Sequence, residues 1–204
     1  MIGGTFEVEE IDPYGHAWVG KGWTNAAGDR YRGHSIALSS QEMEVVDESP
    51  KYSLPEIERR WLVDLPAVDL RSTAFREIED LYIADSRLRL RKVSGPNELT
   101  FKLGKKYGKR TVLSEPITNL YLTEAEYRGL VVLPGKITRK RRYALPSGSL
   151  DVYLEPHGGL AILEVEFASE EAARQFEPPP FVTREITNDP KFSGASLAEH
   201  REIE

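Results

Sequence analysis

The chain has 204 residues, of which 40% are hydrophobic and 29% charged, enough to bury a core without staples and polar enough for a globular protein in water. Its net charge of −6 argues against a general nucleic-acid binder, which carries a basic excess, and the lack of cysteine excludes a disulfide framework, a thiolate zinc site and a Cys nucleophile. No apolar run reaches the length of a membrane span, and the MIGGTFEVEE start has neither the basic nor the apolar region of a signal peptide, so the expected compartment is the cytoplasm.

Residues 1–54 read as an irregular N-terminal extension. PYGHAWVGKGWTNAAGDRYRGHS is rich in Gly and polar residues and shows no period, and QEMEVVDESPK is acidic. Trp18, Trp23 and Tyr31 give this extension the means to dock. From residue 55 the pattern turns to short strands: EIERRWLV (56–63), FREIEDLYI (75–83) and SRLRLRKV (86–93). ELTFKLGKKYGKRTVL (98–113) reads as a hairpin turning between Gly104 and Gly108, and ITNLYL (117–122) as a further strand. Thr123 and Glu126 fit a capping box opening a helix that stops at Pro134-Gly135. TRKRRYAL (138–145), SLDVYLEP (149–156) and GLAILEVEF (159–167) follow as strands, and Ser169 caps a second helix that stops at Pro178. Many antiparallel strands with few helices predict a mainly β, α+β fold: a barrel or sandwich with helices packed outside.

The charges on these strands fall on one face. Alternate side chains of a strand point to opposite sides, so Glu56, Glu58 and Arg60 share a face opposite Ile57 and Trp61. Arg87, Arg89 and Arg91 share one opposite Leu88 and Leu90, and Glu164 and Glu166 one opposite Val165 and Phe167. Lys102 lies between Phe101 and Leu103, Lys140 and Arg142 are again two apart, and Asp151 lies beside Val152. Most charged residues are solvated, but a row of three arginines on one strand repels itself unless something opposes it. A sheet curled with these faces inward forms a tunnel lined with both signs. Its basic groups call for a polyanion, and its clustered carboxylates for a hard divalent cation held through oxygen. A phosphate chain with Mg²⁺ or Mn²⁺ meets both demands. GKKYGKR lacks the spacing of a Walker A loop, His16, His34, His157 and His200 are scattered, and no HExxH or GxSxG motif is present.

From Pro55 onward this ordered series resembles the CYTH domain, the triphosphate tunnel metalloenzymes. Its E-x-E-x-K strand corresponds to Glu56, Glu58 and Arg60, its alternating arginines to Arg87, Arg89 and Arg91, and its lysine strand to Lys102. K-x-R-Y corresponds to Lys140, Arg142 and Tyr143, the single aspartate to Asp151, the E-x-E strand to Glu164 and Glu166, and the closing segment to Glu185-Ile186-Thr187 and Lys191. The resemblance implies a closed eight-stranded antiparallel barrel over residues 55–204, Mg²⁺ or Mn²⁺ as cofactor, and a triphosphate-containing small molecule as partner, with neither nucleic acid nor membrane. It implies metal ligation by Glu56, Glu58, Asp151, Glu164 and Glu166. Phosphate binding falls to Arg87, Arg89, Arg91, Lys102, Lys140, Arg142 and Lys191, and catalytic work to Glu58, Arg60 and Lys102. Arg60 stands where the family has lysine. SEPITNLYL offers Glu115, Thr118 and Asn119 where many members carry alternating glutamates. Three activities stay open: a phosphohydrolase acting on inorganic triphosphate or a related compound, a class IV-type adenylate cyclase making cyclic AMP from ATP, and a binder of polyphosphate or nucleotide that does not turn it over. The oligomeric state is open as well, a homodimer being one option.

Overall fold

The computed structural model describes residues 8–19, 22–24, 30–32, 36–39, 42, 50–154 and 156–199. His34, His200 and most of the acidic QEMEVVDESPK stretch lie outside them. The chain divides into two compact units, Met1–Glu48 and Ser49–Glu204. The first holds short strands where irregular chain is expected from its composition. β1 (Val8–Ile11), β2 (Ala17–Val19) and β5 (Ile36–Leu38) form one antiparallel sheet, and β3 (Gly22–Thr24) pairs with β4 (Arg30–Arg32). Asp12 turns the chain between β1 and β2: its carboxylate accepts from the backbone N–H groups of Tyr14 and His16, each at 2.9 Å.

The second unit is a closed antiparallel barrel. Its strands are β6 (Leu54–Val63), β7 (Phe75–Ile83), β8 (Leu88–Gly95), β9 (Glu98–Lys106), β10 (Ser114–Leu122), β11 (Gly135–Leu145), β12 (Gly148–Tyr153) and β13 (Ala161–Glu166). The order β10-β9-β8-β7-β11-β12-β13-β6 closes where β6 also pairs with β10, leaving no free edge there. A ninth strand, β14 (Val182–Glu185), pairs with the far end of β6. The hairpin expected inside GKKYGKR is displaced. β9 runs straight through Gly104 to Lys106, and the chain returns as β10, Lys102 opposite Tyr121 and Lys106 opposite Ile117. Gly104 has another use: a β-carbon there would stand 3.0 Å from Asn119 Oδ1, so it admits a neighbour instead of turning the chain.

Apolar rows face out and are covered. α1 (Glu124–Leu130) starts at Thr123, whose capping box with Glu126 is complete. Its Tyr127 lies on Phe101, ring centroids 4.5 Å apart, over Leu81 and Leu90. α2 (Glu170–Gln175), capped by Ser169, leads to Phe176, which packs with Trp61, Leu163 and Val165. Arg59, also on the outer face of β6, binds both Glu185 oxygens at 2.9 and 2.7 Å and the carbonyls of Ala173 and Phe176. At one end the inward row of β6, β13 and β12 becomes apolar: Leu62, Ile162 and Tyr153 pack against Ile186, Phe192 and Leu197 of the C-terminal segment. That segment contains α3 (Gly194–Glu199). A β-carbon at Gly194 would sit 1.8 Å from the Tyr82 hydroxyl, so only glycine permits this approach. Helices of six or seven residues carry little intrinsic stability. The apolar area between barrel and cover holds the unit together.

Candidate active site

The barrel register places the charged rows on one inner surface. Directly paired residues share a face. Glu58 faces Glu166, and Arg60 faces Glu164, across β6 and β13. Arg142 faces Asp151 across β11 and β12. Arg91 is paired with both Asp80 of β7 and Lys102 of β9. Glu56 faces Glu115 of β10. The expected outer residues are outside: Leu90 is fully buried beneath α1 and Val165 beneath Phe176.

The inner charges are organised by pairing. Asp151, with 0% exposure, binds Arg142 at 2.6 and 2.7 Å in a fork and also contacts Lys140. Arg142 reaches on to Glu164, and Arg60 Nε lies 3.3 Å from the other oxygen of Glu164. Burial alone would raise the Glu164 pKa, but Lys140, Arg142 and Arg60 hold it well below the usual carboxylate range. Asp80 repeats the pattern against Arg91, at 2.6 and 2.7 Å, with Arg89 Nε at 3.9 Å. Its pKa is lowered too, because the two guanidiniums outweigh the effect of burial. A third group surrounds Lys106, whose ammonium lies 2.5 Å from Glu56, 3.7 Å from Glu58 and 3.6 Å from Glu115.

The remaining expected residues are Arg87, Lys102, Glu166 and Lys191. Arg87 is exposed just before β8, and its Nη1 donates to the Tyr107 carbonyl at 2.8 Å. Lys102 stands 4.8 Å over the ring of Tyr121. Glu166 is exposed. Lys191 is exposed in the 3-10 turn Pro190–Phe192. Arg60 donates from Nη2 to the Phe192 carbonyl at 2.7 Å, tying the C-terminal segment to the lumen. His157 is buried in the turn after β12, its Nε2 2.6 Å from the Leu197 carbonyl oxygen. Asp80, Tyr82, Tyr153 and Lys106 are among the inner residues that escape the sequence reading. Strict alternation from Arg76 through Ile78 to Asp80 and Tyr82 carries the signal for two of them. Lys106 is hidden by the false turn at Gly104.

Glu58 differs from Asp80 and Glu164. Burial raises its pKa, Glu164 and Glu56 raise it further, and Lys106 and Arg60 only partly oppose them. The folded protein therefore holds this proton longer than the unfolded chain. Above the ordinary value near 4.5, stability falls as pH rises through the folded pKa and stays lower beyond it. Glu58→Gln is thus expected to melt at or above the wild type at pH 7, the difference closing below about pH 4. Thermal melts at both pH values check this, and a variant several degrees less stable at pH 7 contradicts it.

A divalent cation is a fair test of this lumen. The donors of β6 and β13 are carboxylate oxygens, the chemistry a hard cation takes. Glu58 is undercompensated, and buried Glu56 Oε2 meets Lys106 in poor hydrogen-bond geometry. The donor set fits such an ion at Glu56 and Glu58. Asp151 and Glu164 are engaged by arginine and lysine, and among the described residues no three ligating side chains are gathered into a ready metal cluster.

Fold and lumen together define a charged, closed β-tunnel protein. Over 153 residues the chain is 31% identical to the inorganic triphosphatase of Nitrosomonas europaea, a match spanning 71% of this chain and 97% of that protein. The chain belongs to the inorganic triphosphatase family. Two solved structures are also similar: that of the hypothetical protein NE1496, at 28% identity and TM-score 0.46, covering 72% of this chain and 99% of that one, and that of the inorganic triphosphatase NE1496, at 27% identity and TM-score 0.45, covering 70% and 93%. No family model matches the chain. Among the described residues, no helix is long and apolar enough to cross a membrane.

Proposed function

We propose that this protein is a divalent-metal-dependent triphosphatase acting on inorganic triphosphate or a closely related compound. The observation that carries this reading is the single inner surface on which Arg60, Arg89, Arg91, Lys102, Lys140 and Arg142 meet Glu56, Glu58 and Glu164. The family relationship supports it. Arg89 and Lys102 are the cations least committed to carboxylates and would grip phosphate oxygens first. Arg91, Lys140 and Arg142 would share their donors between Asp80, Asp151 and the substrate. Arg87 and Lys191 would act near the ends of the chain's path. Arg60, fixed by Glu164 and the Phe192 carbonyl, would orient the reacting phosphate. Glu56 and Glu58, with Glu166 opposite, would hold Mg²⁺ or Mn²⁺. When bound, such an ion neutralises phosphate charge and lowers the pKa of a coordinated water. The chain's own contribution is position and fixed charge, which phosphoryl transfer chiefly needs.

The test is incubation with inorganic triphosphate, ATP and thiamine triphosphate under Mg²⁺, Mn²⁺ or EDTA, with phosphate, pyrophosphate and cyclic AMP measured. Metal-dependent phosphate release from inorganic triphosphate is expected, and EDTA abolishes it. Cyclic AMP as the main product, or tight binding without product, overturns this reading.

A further inference from the structure

A glycine inside a strand costs stability against alanine, because it orders a freer backbone and packs no side chain. Gly104 lies inside β9 and is not one of the glycines with positive φ, so backbone geometry does not demand it. What it supplies is space. Gly104 is paired with Arg89 of β8 on one side and with Asn119 of β10 on the other, so the three form one row on the inner surface. A β-carbon at Gly104 would stand 3.0 Å from Asn119 Oδ1 and 3.7 Å from Arg89 Nη2. The two side chains lean over the same bare patch of wall from opposite sides. Arg89 Nε stands 3.9 Å from Asp80, beyond hydrogen-bond distance. Among the described residues neither the Arg89 guanidinium nor the Asn119 carboxamide makes a hydrogen bond. Tyr82 of β7 continues the row, so a cation and a neutral amide flank the notch with no carboxylate beside them. Room for Asn119 alone does not account for the glycine, since that side chain is exposed and free to turn toward water.

We propose that Gly104, Arg89 and Asn119 form the seat of one phosphoryl group: a phosphate oxygen enters the notch over Gly104 and accepts hydrogen bonds from the Arg89 guanidinium and the Asn119 amide. The inference rests on the triphosphatase reading above and adds Gly104 and Asn119 to it as specificity-determining residues. A glycine within a strand is the residue that lets a ligand approach the backbone closely. The carboxamide oxygen already lies against Gly104, which leaves the NH₂ group to donate. The neutrality of Asn119 matters as much as its reach. A carboxylate in its place would pair with Arg89 and repel phosphate.

Binding of inorganic triphosphate to the full chain, in EDTA and again with Mg²⁺, tests the idea by isothermal titration calorimetry and by the rise in melting temperature. Gly104→Ala is expected to bind about tenfold more weakly than the wild type, the equivalent of one hydrogen bond. Its melting temperature without ligand is expected to match or exceed that of the wild type, since alanine suits the strand better. Asn119→Ala is expected to lose a similar factor, and the double variant little more, because both changes act on one oxygen. Asn119→Asp, nearly the same in shape, is expected to lose about tenfold more than Asn119→Ala. A glycine kept only for packing gives the opposite signs, a lower melting temperature with unchanged affinity, and that result overturns the proposal. Asn119→Asp binding as tightly as the wild type overturns it too, whether or not Gly104→Ala folds. So does a wild type that binds no triphosphate under either condition. Failure of the triphosphatase reading looks different: the variants still lose affinity, while the wild type binds inorganic triphosphate and releases no phosphate from it.

Discussion

Replacing Arg142 with methionine is expected to lower the melting temperature of the barrel by roughly 6–20 °C. Arg142 is the only arginine that joins Asp151 to Glu164 in the lumen among the described residues. Removing one partner of a buried ion pair costs about 3–5 kcal/mol, and each kcal/mol shifts a unit of this size by about 2–4 °C. Lys140 remains on Asp151 and Arg60 near Glu164, so folding is weakened and not abolished. The sign of the pH dependence separates this cause from lost packing. The depressed pKa of Glu164 contributes stability above its ordinary 4.5, and that contribution is lost as pH falls through the folded value. The gap between wild type and variant should therefore be widest near pH 7 and narrow below about pH 4. Circular dichroism melts at the two pH values measure it. A variant within 2 °C or so of the wild type at pH 7 would show that the network contributes little.

Strands such as β6, β8 and β13 were legible because one side is mainly apolar and the other mainly charged. Period two survives even where both sides end up covered, as at Leu90 and Arg91 of β8. The inward sense of the charges was legible from their quantity: rows such as Arg87, Arg89 and Arg91 need opposing charges, and the carboxylates lay on other strands. Which charge meets which was not legible. Arg60 meets Glu164 only because β13 lies beside β6, a neighbour relation about a hundred residues apart that local pattern does not encode. The same holds for Lys106, Glu56 and Glu115. Gly104 misled because a glycine among lysines has the composition of a turn, whereas here it makes room for Asn119. The C-terminal strand and helix, four and six residues long, are too short to display a period, and β1–β5 are shorter still or equal.

Arg89→Ala is expected to lower kcat/KM for inorganic triphosphate about a hundredfold or more while moving the melting temperature by only a degree or two. The two inner arginines of β8 differ in what they touch. Arg91 is held in a fork by Asp80 at 2.6 and 2.7 Å, whereas Arg89 Nε stands 3.9 Å from the same carboxylate and keeps 22% of its side chain exposed. Arg91 therefore neutralises a buried aspartate, and Arg89 sits close to a guanidinium of like charge. Under the proposed function Arg89 has donors free to bind phosphate oxygens, each charge-assisted bond contributing about 1.5–3 kcal/mol. Loss of two such bonds accounts for the expected fall. Arg91→Ala should reverse the balance: Asp80, with 1% exposure, loses its fork, and the melting temperature drops by about 6 °C or more. Steady-state kinetics on both variants, with thermal melts in the presence and absence of triphosphate, separate the roles. Arg89→Ala with kcat/KM within about twofold of the wild type would remove Arg89 from the phosphate grip. Equal losses of stability in the two variants would mean that both arginines serve Asp80.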